Sequence, residues 1–135
     1  MVDPAARSAD LVTQANPALV VKVALVAFGR VGAITMSGVS ERDLYTAIID
    51  PTGRYAYFGT AATPGVIVKV DLAGFERTIA IVLPATDGGS LESPVTDPAA
   101  NVAYLGRSQS GSPPPGVRAA LVQITVAPPP HGAPA

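Results

Sequence analysis

The chain has no cysteine and no tryptophan, a single histidine among its 135 residues, and no surplus of charge, with nine basic side chains against ten acidic ones. Each shortage closes a class of function. Without cysteine there is no disulfide framework and no thiolate metal site, so the sequence carries no mark of its redox compartment. A net charge of -1 leaves no electrostatic footprint for nucleic acid. The sole histidine, His131, lies in the Pro-rich APPPHGAPA tail, where it reads as a solvated side chain and not as the base of a Ser-His-Asp triad. The opening residues, MVDPAARSAD, show no basic stretch ahead of an apolar run and do not read as a secretory signal.

Long hydrophobic runs are also scarce. The stretch from Ala18 to Met36 approaches the length of a membrane-spanning helix, but Lys22 and Arg30 lie inside it. Each would cost about 2.5–3.5 kcal/mol near the centre of such a helix, so a pair of strands is predicted and membrane insertion is not. Hydrophobic residues make up 48% of the chain, enough for one domain with a sizeable core.

What the sequence has is repetition. DPTGRYAYFG at Asp50–Gly59 returns as DPAANVAYLG at Asp97–Gly106, 47 residues later. The same offset, without a gap, lays VVKVALVAFGRVGAI from Val20 onto IVKVDLAGFERTIAI from Ile67, and Asp3-Pro4 onto Asp50-Pro51. The register slips after Gly106, where RSQSGSPPPG replaces the shorter TAATPG; beyond it LVQITV at Leu121–Val126 resembles IVKVDL at Ile67–Leu72. Nearly three units are present, and a period of this size means a supersecondary unit that completes its core by stacking on copies of itself.

One unit reads as four short antiparallel strands. LYTAIID is apolar and β-branched, and Asp50-Pro51-Thr52-Gly53 turns the chain: Asp accepts from the backbone that follows, Pro presets φ, and Gly suits the fourth position. YAYFGT returns, VIVKVDL forms a third strand and TIAIVL a fourth. Four such strands in 40 to 50 residues make a β-propeller blade. The fold class is therefore all-β, propeller blades on a 47-residue repeat in an incomplete ring. The predicted division is 1–43 as a degenerate first blade holding strands two to four, 44–90 as a complete second, 91–126 as a third lacking its last strand, and 127–135 as a tail.

The string Asp-Pro-x-Gly-x-x-Ala-Tyr-x-Gly-Thr, followed by Pro-Gly-x-x-Val-Lys-Val-Asp-Leu and Phe-x-Arg, resembles the blade of YVTN-type bacterial and archaeal surface propellers, within the lactonase-like group. The resemblance is strongest over Leu44–Leu83. It assigns Asp50, Pro51, Gly53, Tyr57, Gly59, Asp97, Pro98, Tyr104 and Gly106 to a structural signature, and it implies extracytoplasmic or surface display. Asp10 stands at the position of Tyr57 and Tyr104, so the first hairpin departs from the pattern.

Closed propellers use roughly four to eight blades, so three incomplete ones belong to a longer ring or to an assembly. A homodimer would supply about six. No catalytic, metal or cofactor constellation is found. Asp3, Asp50 and Asp97 recur before proline and read as turn caps rather than cation ligands. GRSQSG at Gly106–Gly111 lacks the second glycine of a nucleophile elbow, and GRVG at Gly29–Gly32 reads as a turn. Lys22, Lys69, Arg30 and Arg77 read as solvent-side residues of third strands and the turns after them. The functional expectation is a non-enzymatic binding scaffold for a protein or glycan, needing no cofactor, with Glu41, Arg42, Asp43 and Asp87 on ligand-facing loops. The alternative is a lactonase-like hydrolase active only as a closed ring.

Overall fold

Short β-branched runs cut by Asp-Pro and Pro-Gly pairs cannot propagate a helix, and the chain lays them down as three antiparallel sheets. The computed structural model describes residues 1–38, 40–84, 90–107 and 121–126. Among them every regular element is a strand, and no helix is long and apolar enough to cross a membrane.

The first sheet orders β1 (Val2–Asp3), β2 (Ser8–Val12), β3 (Leu19–Ala24) and β4 (Gly29–Thr35) side by side. The second does the same with β5 (Leu44–Ile49), β6 (Tyr55–Thr60), β7 (Val66–Asp71) and β8 (Glu76–Val82). The third holds β9 (Leu91–Asp97), β10 (Val102–Arg107) and β11 (Leu121–Thr125). Each is an up-and-down meander, which is the form of a propeller blade. The apolar stretch from Ala18 to Met36 is the β3–β4 hairpin.

The 47-residue period holds at the level of hydrogen bonding. Lys22 pairs with Gly32 and Val23 with Arg30 across a bulge, and Lys69 pairs with Ile79 and Val70 with Arg77 across a bulge at the same place. Phe28 and Phe75 occupy the turns that follow, with φ of 49° and 48°. Asp3, Asp50 and Asp97 cap their turns: Asp3 Oδ1 accepts from the amides of Ala5 and Ala6, Asp97 Oδ1 from those of Ala99 and Ala100, and Asp50 Oδ1 from the Arg54 amide and the Thr52 hydroxyl. The turn of the second blade differs because Gly53 takes the positive φ, which Arg7 and Asn101 adopt one position later in the other two.

Two apolar layers hold the sheets together, one per junction. Between the first and second blades lie Ala18, Val20 and Met36 against Ala56, Phe58, Val66, Val68, Val70 and Leu72. Between the second and third lie Ile48, Tyr57 and Ile67 against Leu91, Ala103, Leu105, Ile124 and Val126. The middle blade is thus buried on both faces, which explains why β6 is apolar at almost every position. Ile67, on the polar side of an alternating strand by sequence, is buried because the third blade covers that side.

Two local readings are corrected. Gly29–Gly32 belongs to β4 and not to a turn, and a Cβ at Gly32 would lie in van der Waals contact with the ring of Phe75 in the next blade, at 3.4 Å. Lys22, Lys69 and Arg77 are half-buried in packed surroundings, and of the four basic residues only Arg30 is exposed to solvent as expected.

Candidate functional site

The chemistry of this chain concentrates at the blade junctions and at the cleft beside the inner strands. At the second junction the Tyr57 hydroxyl donates to the Val126 carbonyl at 2.8 Å, at the end of the third strand of the next blade. Burial, then the nearby charge of Asp50, pushes the phenol up to about 12, so it remains a donor at any physiological pH. Lys69 lies over the Tyr55 ring, 4.0 Å from its centroid, and keeps that cation among aromatic faces.

At the first junction the tyrosine is replaced by Asp10, and a different donor takes over. Lys22, paired across the strands with Asp10, sends its Nζ to the Leu72 carbonyl at 3.0 Å and stands 4.6 Å from the centroid of Phe75. Leu72 occupies the place in its blade that Val126 occupies in the third. Both junctions therefore hydrogen-bond the same carbonyl of the following blade. Asp10 is 1% exposed, and its carboxylate has no hydrogen-bond partner among the described residues. Burial raises its pKa, and the charge of Lys22 offsets only part of that.

The predicted loop residues separate. Glu41 is buried, and its carboxylate accepts from the Arg77 guanidinium and the Gly38 amide. Burial by itself would raise its pKa, but the hydrogen bonds from Arg77 and Gly38 outweigh it and hold the carboxyl below the usual range. Glu41 thus clamps the linker onto β8 instead of facing a ligand. Sequence reasoning missed this because Arg77 is 36 residues away, and its counterpart Arg30 is exposed. Arg42 is exposed; Asp43 is half-buried with φ of 51°, its amide donating to Ala15 and its carbonyl accepting from Ala61. Asp87, Ser108 and His131 lie outside the described residues.

A cleft of about 540 Å³ lies where β2, β5 and β9 approach one another, and neither Arg42 nor Asp43 lines it. Its walls include Asp10, Leu11, Tyr45, Thr46, Glu92 and Ser93. Tyr45 is 51% exposed there, an aromatic face beside the Ser93 hydroxyl and the Glu92 carboxylate. A second cavity of about 460 Å³, lined by Ile67, Lys69, Ile79, Ile81 and Ile124 among others, opens between β8 and β11. Its Lys69 and Ile79 are the counterparts of Lys22 and Gly32, against which Phe75 packs at the first junction. Among the described residues no cluster of three histidine, cysteine or acidic side chains could hold a metal ion.

No protein-family model matches this sequence, and neither does any curated protein. Solved structures do resemble it. A dihydro-heme d1 dehydrogenase, NirN, in complex with DHE aligns over 93% of the chain with a TM-score of 0.61 at 16% identity. A eukaryotic initiation factor aligns over 93% with a TM-score of 0.63 at 14% identity. The chain spans 23% and 28% of those two proteins. At such identities the likeness concerns the fold alone: this chain is a partial β-propeller, an all-β array of incomplete blades.

Proposed function

We propose that the chain is a non-enzymatic β-propeller module that serves as a binding scaffold, taking a protein or glycan ligand at the inner cleft. The observation that carries this reading is the cleft itself: an open concavity with one exposed aromatic ring, Tyr45, flanked by Ser93 and Glu92. Concave surfaces with an apolar platform and a few placed polar groups are what small-ligand recognition uses. Stacking on the ring supplies affinity, and the Ser93 hydroxyl and the Glu92 carboxylate supply direction. The blade's resemblance to YVTN-type, lactonase-like surface propellers supports a scaffold displayed outside the cytoplasm.

The test is an array of glycans and extended peptides probed with the purified chain and with Tyr45→Ala. Tyr45 projects from a half-open position, so its truncation removes the platform without opening the core. Binding that falls about tenfold or more in the variant supports the site. Binding that is indifferent to Tyr45 sinks it, and turnover of a lactone panel by the wild type would favour the hydrolase instead.

A further inference from the structure

The two outer faces of the array are the two halves of a junction that the chain already builds twice. On the open side of the first blade, Leu11, Leu25 and Phe28 are 54%, 44% and 85% exposed. Their counterparts 47 residues on behave differently: Phe58 and Leu72 are 0% and 5% exposed, and Phe75 is seated over Lys22 of the preceding blade. On the open side of the third blade, Val95 and Leu121 are 63% and 69% exposed, whereas their counterparts Ile48 and Ile67 are 4% and 2%. The first set is the face a blade turns to its predecessor, and the second is the face it turns to its successor.

We propose that a second copy of this chain covers both, the first blade of each copy seating on the third blade of the other, so that two copies close a ring of about six blades. This rests on the blade assignment and not on the ligand reading, so either can fail alone. The internal junctions specify the contact. Tyr104 sits between Val95 and Gln123 in its sheet as Tyr57 sits between Ile48 and Lys69. Its hydroxyl is therefore placed to donate to the carbonyl of the partner's Leu25, the counterpart of Leu72. Phe28 enters the row of Gln123 as Phe75 enters the row of Lys22. A second copy fits because both faces expose large apolar side chains, Leu11, Leu25 and Phe28 on one and Val95 and Leu121 on the other, and with a net charge of -1 per chain the copies repel weakly.

The experiment is light scattering of the 135-residue chain after size exclusion at about 100 µM, above the micromolar end of the affinity range for specific interfaces, with circular dichroism on the same peak. A β-rich species of twice 13.6 kDa is expected. Phe28→Asp and Leu121→Asp each give a folded monomer, since both side chains are exposed and neither supports its own blade. Mixing the two variants restores a dimer held by its one unaltered contact. Tyr104→Phe weakens association about tenfold. A chain that remains monomeric, folded or not, overturns the proposal. So does a Leu121→Asp variant that still dimerises, which would mean that first blades pair with each other, and so does a ladder of larger species, which would mean that the contact does not close.

Discussion

Between the second and third blades a phenol reaches the end carbonyl of the next blade; between the first and second an ammonium does, with a carboxylate where the phenol would stand. The acceptor, the strand register and the bulge are kept while the donor changes. A repeat array thus conserves the place where a hydrogen bond must be made more strictly than the side chain that makes it. The substitution carries a cost, because Asp10 is buried without a hydrogen-bond partner among the described residues, and a benefit, because Lys22 also gains the face of Phe75.

The largest effect that can break this comparison comes from its apolar layers. Phe58→Ala, at a fully buried position of the first junction, should destabilise the chain by about 3–5 kcal/mol in urea unfolding. Leu11→Ala, one repeat earlier and half exposed, should change the monomer by no more than about 0.5 kcal/mol. Equal losses would show that the open face is covered. Next come the paired glycines. A methyl at Gly59 would sit 2.5 Å from Thr46 Oγ1 and 2.9 Å from Leu91 Cβ, so Gly59→Ala should cost about 1–3 kcal/mol. At Gly106 the nearest atom is 3.6 Å away, in ordinary contact, and Gly106→Ala should be tolerated by the same measurement.

Smaller changes probe the donors. Tyr57→Phe keeps the ring and removes the bond to Val126, a loss of about 1 kcal/mol visible as a lower urea midpoint. Asp10→Asn should act in the opposite direction and only at higher pH. The folded pKa of Asp10 is raised, so the folded state holds its proton more tightly than the unfolded one, whose carboxyl titrates near 3.8. The wild type is therefore relatively most stable below that value and loses stability as pH rises through the folded pKa. Asp10→Asn lacks that loss, so its advantage should be absent in acid and grow to a plateau. An advantage independent of pH would show that ionisation of Asp10 is not its source.

Much of this architecture was legible in residues that act locally. The Asp-Pro turns and the Tyr55–Thr60 and Val66–Asp71 strands follow from turn chemistry and alternation, whereas the bulge that β7 shares with β3 shows only in the structure. The site was less legible. Glu41 was read as a loop carboxylate offered to a ligand, and Lys22 as a solvated edge charge, because nothing near them in sequence names Arg77 or the Leu72 carbonyl as their partners. Tyr45 is indistinguishable in sequence from a core residue, since it stands in an apolar run, and only the structure exposes it.

The sequence by itself determined the strands, the turns and the 47-residue period, because backbone hydrogen bonding and side-chain alternation are settled within a few residues. Tertiary structure alone decided which copy of each residue is buried. Ile67 and Leu121, Phe75 and Phe28 are matched pairs in the repeat, and their exposures differ because one member has a neighbouring blade against it and the other does not.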